Sequence, residues 1–191
     1  MPNKKENTTR KVSTAGYCEE ILCAGFGGQG IMFLGKLIAH AGLVAGKNVT
    51  WMPSYGAEVR GGTAYSMTKI SNSEIANPTV TVPGILIAMN QPSFVKYEEK
   101  VRPGGIIILN RSLISIVPKR KDVTVKSAPM TDMATKLGDV KCANMIAMGI
   151  LTRRSKLVSI RGVIKALEDV FKNKEELFLL NKSAIESGYK L

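Results

Sequence analysis

The chain has 191 residues, of which 45% are hydrophobic, and a formal net charge of +12. This length fits one domain, and no apolar run approaches the roughly 20 residues that cross a bilayer, so we expect a soluble cytoplasmic protein without membrane contact. The charge would suit nucleic acid or an acidic partner, but the basic residues are scattered and only 6% of residues are aromatic, which disfavours nucleic acid as a partner.

The first sixteen residues differ in character from the rest of the chain. They are polar and basic without an apolar stretch, which predicts a flexible basic tail over residues 1–16 and not a secretory signal. No repeat or linker interrupts the chain after residue 16, so residues 17–191 are expected to form a single α/β domain. Glu20 to Ala24 is predicted to be its first buried strand.

The next predicted element is a helix over Ile31 to Ala45, with Gly46 as its C-cap. Gly35, Ala39 and Gly42 fall on one stripe of this helix, where small side chains would let it lie close to a sheet. His40, the only histidine, falls on the polar stripe and is expected at the solvated surface.

The sequence GFGGQG lies between this strand and this helix. Gly25, Gly27 and Gly30 satisfy G-x-G-x-x-G in the context that places backbone N–H groups and a helix dipole around an anion. The candidate cofactor-binding residues are therefore Gly25, Gly27, Gly28, Gln29 and Gly30. The alternative is that these glycines only permit a tight turn and close contact between helix and sheet.

Two nucleotide-binding motifs are incomplete. The second strand, predicted over Asn48 to Met52, is followed by Pro53 and Ser54 without the Asp or Glu that binds a ribose hydroxyl, which disfavours NAD. A P-loop spacing at residues 30–36 is a coincidence, because Leu37 replaces the Ser or Thr that would hold magnesium.

The sequence SYGAEVRGG follows the second strand at residues 54–62. Its glycines permit unusual backbone angles, and the guanidinium of Arg60 suits a phosphate or a carboxylate. The candidate residues for contact with a partner or a cofactor are Tyr55, Glu58, Arg60, Gly61 and Gly62. The alternative is an exposed turn in which Glu58 and Arg60 pair with each other or with solvent.

The remaining elements alternate between strands and helices. Strands are predicted at Thr63 to Ile70, which should be more exposed, and at Gly84 to Met89, Gly104 to Asn110 and Asp122 to Lys126. Helices are predicted after the cap residue Asn90 and at Met130 to Leu137, Cys142 to Leu151, Leu157 to Phe171 and Leu177 to Ile185. This order predicts an α/β, Rossmann-like open and mostly parallel sheet with helices on both faces and extra C-terminal helices. Asn144, alone in an apolar helix, is expected to satisfy a buried backbone group.

The chain lacks the residue patterns of a complete redox or metal centre. Its three cysteines, Cys18, Cys23 and Cys142, form no C-x-x-C pair, which excludes a self-contained iron–sulfur cluster or tetrahedral zinc site and points to a reducing compartment. No catalytic residue and no metal ligand is assigned.

Four segments together resemble a known family. GFGGQG at 25–30, SYGAEVRGGTAYS at 54–66, Asn77-Pro78 and the closing LNKSAIESGYKL at 180–191 are similar to the gamma subunits of the 2-oxoacid:ferredoxin oxidoreductases. The similarity runs from about Tyr17 to the end of the chain. The SYG-x-E-x-RGG form most resembles the 2-oxoglutarate and branched-chain 2-oxoacid types.

The resemblance implies one subunit of an enzyme complex and no complete active site in this chain. Such a complex oxidatively decarboxylates a 2-oxoacid, here 2-oxoglutarate by hypothesis, passes electrons through iron–sulfur clusters to ferredoxin and gives the acyl group to coenzyme A. The implied cofactors of the complex are thiamine diphosphate, magnesium and the clusters, and the thiamine site belongs to the alpha and beta subunits. These two subunits are the implied partners, with a delta subunit as a further candidate and ferredoxin as an indirect partner.

The resemblance also implies roles for the candidate residues. Gly25 to Gly30 would form the anion-binding turn, and Tyr55, Glu58, Arg60, Gly61 and Gly62 would contact partner subunits or coenzyme A. The alternative function is a stand-alone Rossmann-type nucleotide-binding or regulatory module. Dimerisation of the isolated chain stays open.

Overall fold

A computed structural model describes residues 17–55 and 63–191, and this part of the chain contains six strands and six α-helices. The strands are β1 (Cys18–Phe26), β2 (Asn48–Tyr55), β3 (Thr63–Ser71), β4 (Ile85–Ala88), β5 (Ile106–Asn110) and β6 (Thr124–Ala128). The helices are α1 (Ile31–Val44), α2 (Gln91–Tyr97), α3 (Met130–Leu137), α4 (Ala143–Ser155), α5 (Ile160–Val170) and α6 (Glu175–Tyr189). A short 3-10 turn at Glu98–Lys100 follows α2, and a second at Val140–Cys142 precedes α4.

The strands form one sheet in the order β2-β3-β1-β4-β5-β6. β1, β4, β5 and β6 pair in parallel, whereas β3 is antiparallel to both of its neighbours, so that β2 runs in the same direction as β1. The predicted Rossmann-like, mostly parallel sheet with helices on both faces and extra C-terminal helices is confirmed.

The third strand is not the exposed strand that its alternation suggested. β3 lies inside the sheet, between β1 and β2, and its residues Ala64, Ser66 and Thr68 are buried. These small side chains face α1, and the hydroxyl of Thr68 donates to the carbonyl of Gly35 at 3.4 Å. The prediction of exposure was wrong because small polar residues can fill a narrow space between a sheet and a helix as well as face water.

Helix α1 lies close to β2 and β3, as its stripe of small residues predicted. A Cβ on Gly35 would overlap the hydroxyl of Ser66, and one on Gly42 would lie 2.8 Å from Cγ2 of Val49. The helix ends in a Schellman motif at Gly46, whose φ is +69°. There Lys47 N donates to Gly42 O at 3.0 Å and Gly46 N to Leu43 O at 2.9 Å, which confirms the predicted C-cap.

The two faces of the sheet carry unequal layers. The larger core lies between the sheet and helices α1 and α3 to α6, and the smaller one lies beneath α2 and the loops around it. Along the buried strands, alternate residues enter one core or the other. Among the described residues, no helix has the length and apolar character needed to span a membrane.

His40 lies at the partly exposed surface, as expected, and its Nε2 lies 3.2 Å from Oδ2 of Asp169 on α5. On α6, Leu177 is 42% exposed, and the buried residues are Asn181, Ala184, Ile185 and Gly188. Gly188 allows the backbones of α6 and α4 to meet directly, so the buried face of α6 is set by small residues as well as apolar ones.

Candidate functional site

The predicted binding residues lie at the carboxyl edge of the sheet. β1, β2, β4 and β5 all end there because they run in one direction. The N-termini of α1 and α2 start at the same edge. Open α/β sheets bind ligands in the crevice outside these strand ends.

The glycine turn joins β1 to α1 and depends on glycine at three positions. Gly28 and Gly30 have φ angles of +94° and +69°, in the left-handed region that side chains disfavour. Gly25 is constrained by packing instead, since a Cβ there would lie 2.6 Å from Oε1 of Gln29 and 2.8 Å from Cδ1 of Ile31. Gly27 is exposed at the tip of the turn.

Gln29 closes this turn from inside. Its Oε1 accepts a hydrogen bond from the N–H of Phe26 at 2.7 Å, and its Nε2 donates to the carbonyl of Met89 at 3.2 Å. Asn90, the cap of α2, donates to the same Oε1 at 3.4 Å. Gln29 thus links the turn after β1 to the turn after β4 and occupies the N–H of Phe26, which is unavailable to a ligand. Its predicted contact with a cofactor stays a prediction.

Asn144 holds the other side of the turn. Its Nδ2 donates to the carbonyl of Gly30 at 3.1 Å, which is the role expected for a lone amide in an apolar helix. A Cβ on Gly30 would overlap that same amide nitrogen. The turn is therefore clamped between α4 and the sheet.

The N–H groups at the start of α1 remain available to an anion. Gly30 is the N-cap, and no side chain caps it. The first helical hydrogen bond joins Leu34 N to Gly30 O at 2.9 Å, so the three N–H groups that precede Leu34 have no acceptor within the helix. With the positive end of the helix dipole, these groups suit a phosphate or a carboxylate.

Two polar residues that the sequence did not single out, Asn110 and Thr131, also lie at this edge. Asn110, at the end of β5, is fully buried, and its Nδ2 donates to Thr131 Oγ1 at 2.8 Å and to Met89 O at 3.4 Å. Its Oδ1 accepts from the backbone N–H of Thr131 at 3.3 Å. Asn110 could have been identified from the sequence, because it ends a buried apolar strand and parallel strands end at the edge of the sheet where ligands bind.

Two adjoining cavities flank the glycine turn, and both are lined by Gly28 and Lys141. The smaller, of about 150 Å³, lies towards Gln29 and Thr131, and the larger, of about 350 Å³, lies towards Phe33 and Asn144. Lys141 is exposed, and its backbone N–H is held by Oδ1 of Asp139 at 2.9 Å. This lysine supplies a positive charge beside the uncapped helix start.

Cys142 also lines the larger cavity but is not poised to react. Its Sγ donates to Oδ1 of Asn181 at 3.7 Å, and the residue is buried. Burial, followed by the negative charge of Asp139, raises the pKa of its thiol above the ordinary value. A thiol with a raised pKa is a poor nucleophile, which supports leaving this residue without a catalytic role.

Most of the predicted contact loop falls outside the described residues. Glu58, Arg60, Gly61 and Gly62 lie there, so their contact role stays a prediction. Tyr55 is the last residue of β2 and pairs with Ala64. Thr63, the first described residue after the loop, pairs with Phe26 of β1. The loop therefore leaves the sheet two strands away from β1, at Tyr55, and re-enters it at Thr63, beside the strand that leads into the glycine turn.

Two curated relatives differ in length. The chain is 35% identical over 179 residues to the 2-oxoglutarate synthase subunit KorC of Methanocaldococcus jannaschii, covering 91% of this chain and 93% of the relative. It is 31% identical over 166 residues to the ketoisovalerate oxidoreductase subunit VorA of Methanothermobacter thermautotrophicus, covering 86% of this chain. In the second case the chain spans only 34% of the relative's length.

Solved structures share the fold. The gamma subunit of a keto/oxoacid ferredoxin oxidoreductase from Geobacter sulfurreducens superposes with a TM-score of 0.77 at 27% identity, over 90% of this chain and 96% of that one. The 2-oxoglutarate:ferredoxin oxidoreductase from Magnetococcus marinus, solved with 2-oxoglutarate, coenzyme A and succinyl-CoA bound, gives 0.81 at 26% identity over 91% of this chain and 30% of that one.

The sequence also matches the profile of a protein family described as pyruvate ferredoxin/flavodoxin oxidoreductase over residues 20–191. This match takes in the glycine turn, both strands that border the contact loop, and the C-terminal helices. The chain therefore belongs to the pyruvate ferredoxin/flavodoxin oxidoreductase family, which confirms the resemblance that its four sequence segments indicated.

Proposed function

We propose that this chain is the gamma subunit of a 2-oxoacid:ferredoxin oxidoreductase complex that acts on 2-oxoglutarate. The coverage of a 2-oxoglutarate synthase subunit over 93% of its length supports a separate subunit of this type. The similarity to a ketoisovalerate enzyme keeps branched-chain 2-oxoacids as the alternative substrates.

The proposed role of the carboxyl edge is to hold an anionic group of coenzyme A. The observation that carries this proposal is the uncapped N-terminus of α1, with Lys141 beside it and cavities on both sides. Because backbone N–H groups and a cation stabilise a phosphate without any proton transfer, the site suits binding and orientation. Arg60 and Glu58 of the contact loop would add contacts to coenzyme A or to a partner subunit.

The oxidation itself is assigned to other subunits. Among the described residues, no group of His, Cys, Asp and Glu could hold a metal ion. The proposal places the thiamine diphosphate site with the alpha and beta subunits and assigns magnesium and the iron–sulfur clusters to the complex as a whole. A delta subunit is a further candidate partner, and this chain is a required but not self-sufficient part. A cytoplasmic location belongs to the same proposal.

Removal of the Lys141 charge tests the binding site. In the purified complex, Lys141→Ala should raise the KM for coenzyme A several-fold, since an exposed charge–phosphate contact is worth about 1 kcal/mol, while kcat should change little. Lys136→Ala is the matched control, because Lys136 is an exposed lysine on α3 that lines neither cavity. Equal KM values for both variants would place coenzyme A elsewhere.

Purification from the source organism tests the subunit assignment. A tagged chain should bring down thiamine-binding subunits, and the isolated chain should not oxidise 2-oxoglutarate. A chain that purifies alone and binds NAD or ATP would instead support the stand-alone Rossmann-type module. A thermal-shift comparison of coenzyme A, NAD and ATP separates the ligands, because a ligand at a hundred times its Kd stabilises by about 2.7 kcal/mol.

A further inference from the structure

The sheet face opposite α1 is only partly covered. On this face α2 packs over β1 and β4. β3 is contacted by Tyr97 near the end of α2 and by the segment around Val80, whose N–H donates to Sδ of Met67 at 3.4 Å. A groove of about 780 Å³ remains between β3 and the end of α2. It lies on the other side of the sheet from α1 and is separate from the two cavities at the glycine turn.

The floor of the groove is apolar and aromatic. Tyr65 and Met67 of β3 line it and are half-buried, and the ring of Tyr65 lies 6.1 Å from that of Tyr97. Val82, on the segment that borders the groove, is 55% exposed. Apolar and aromatic side chains grouped in this way are typical of protein contact surfaces.

Two lysines on the rim have no acidic partner among the described residues. The other two cations of the groove are paired: Arg102 with Glu19 at 2.8 Å, and Arg120 with Asp122 at 2.6 Å. Lys96 and Lys100 instead lie over the ring of Tyr97, with Nζ 5.3 and 5.4 Å from its centroid. Glu99 is the acidic residue that lines the groove, so its single negative charge is set against the positive charges of two lysines. The rim is therefore positive beside an apolar floor.

We propose that this groove docks an acidic segment with apolar side chains from another subunit of the complex. A carboxylate on that segment would meet Lys96 and Lys100, and its apolar side chains would cover Tyr65, Met67 and Val82. A second copy of the chain fits less well, because each copy carries a net charge of +12. Residues 1–16 fit less well too, because they are basic and have no apolar stretch. The inference rests on the proposed role as a subunit.

The test is charge reversal in the complex purified from the source organism through a tag on this chain. Lys96→Glu with Lys100→Glu should lower the amount of co-purified partner subunits by about ten-fold or more, because like charges then face each other across the contact. Lys172→Glu with Lys174→Glu makes the same change of charge at exposed lysines outside the groove and should leave the subunits bound. Thermal unfolding of each isolated variant reports whether the fold is kept.

A cross-linking experiment identifies the occupant without altering the lysines. With Val82 replaced by benzoylphenylalanine, illumination of the complex should link this chain to a partner peptide that contains Asp or Glu beside apolar residues. A complex that survives charge reversal of Lys96 and Lys100, or a cross-link to a second copy of the chain, to residues 1–16 or to a basic peptide, would overturn the proposal. If the wild-type chain brings down no partner subunit, the proposed function fails first and this proposal with it.

Discussion

Gly30 is restricted both by its backbone angle and by its neighbour. Its φ is +69°, and a Cβ there would overlap Nδ2 of Asn144, whereas Gly28 has a φ of +94° with open space around it. Gly28→Ala should therefore lower the free energy of unfolding by about 1 to 2 kcal/mol, because alanine disfavours this left-handed backbone angle. Gly30→Ala should lower the free energy of unfolding by about 1 to 3 kcal/mol more than Gly28→Ala does, because Asn144 must move and its hydrogen bond to the Gly30 carbonyl weakens.

Denaturant unfolding of the two glycine variants measures this difference. The free energy of unfolding should fall further for Gly30→Ala than for Gly28→Ala, with the m-value of each variant unchanged. Equal losses would mean that Asn144 does not clamp the turn.

Asp169 gives a second prediction at the scale of single residues. The hydrogen bond from His40 lowers the pKa of Asp169 below its usual value, an effect that desolvation opposes and Lys165 reinforces. A carboxyl whose pKa is lower in the folded state stabilises the protein above its unfolded pKa, and this contribution is lost as the pH falls through the folded pKa. Asp169→Asn should therefore lower the free energy of unfolding near neutral pH, and the difference from wild type should shrink below about pH 4.

Unfolding curves from neutral pH to about pH 2.5 check the direction of this effect. Asp132→Asn is the control, since Asp132 is exposed and forms no ion pair within the described part of the chain. A deficit for Asp169→Asn that grows on acidification would contradict the prediction.

Single residues also show what the sequence can and cannot specify. Asn144 could be assigned correctly, because a lone amide in an apolar helix must find a buried partner. The link between Asn110 and Thr131 could not be predicted, because it depends on how the ends of β5 and β6 meet in space. Gln29 was predicted to bind a cofactor. Its hydrogen bond to Met89 could not be predicted, because it depends on how the ends of β1 and β4 meet in space.

At the scale of elements, α4 and α6 cross with their backbones in contact. A Cβ on Gly188 would overlap the carbonyl oxygen of Ile146, and one on Gly149 would overlap that of Ile185. Gly188→Ala should destabilise the protein by about 1 to 3 kcal/mol, because rigid backbone atoms must separate and the packing between the helices loosens.

The matched control for this crossing is Gly162→Ala in α5. A Cβ there would meet the hydroxyl of Ser159 at 3.3 Å and otherwise only Cγ1 of Val44 at 4.0 Å. This variant should lie within about 1 kcal/mol of wild type, because alanine is the better helix former. Thermal or denaturant unfolding compares the two, and a Gly188→Ala protein as stable as Gly162→Ala would show that the helices can separate at little cost.

The β2–β3 hairpin is the element that sequence periodicity described least well. A strand over Thr63 to Ile70 was predicted, but its position between β1 and β2 could not be, because a strand's own pattern does not state which strands flank it. Since β3 lies between β1 and β2, the end of β2 is two strand spacings, about 10 Å, from the end of β1. The missing acid at the end of β2 therefore has a structural reason: β2 is not the strand next to the glycine turn.

At the scale of the whole molecule, the fold class could be predicted because long apolar runs mark strands buried on both faces. The sequences ILIA of β4 and IIILN of β5 are of this kind, and both strands are central. The unequal coverage of the two sheet faces could not be predicted, since helix periodicity does not state on which face a helix packs. The boundary between tail and domain stays a prediction.

Truncation tests that boundary. A chain that begins at Tyr17 should unfold with the same free energy as the full chain to within about 0.5 kcal/mol and with the same m-value, because the tail predicted over residues 1–16 would bury no surface. Tyr17 should be kept, since its hydroxyl donates to Oε2 of Glu19 at 2.8 Å and its carbonyl accepts from Asn72 N at 3.2 Å.

A chain that begins at Glu20, where the family match starts, should have a free energy of unfolding lower by about 1 to 3 kcal/mol, because it loses two residues of β1 that pair with β3. It loses the buried carboxylate of Glu19 and leaves Arg102 without its partner at 2.8 Å. Circular dichroism during urea unfolding compares the three chains. A lower m-value for the chain that begins at Tyr17 would mean that residues 1–16 pack on the domain, and the domain would then have to be extended to include them.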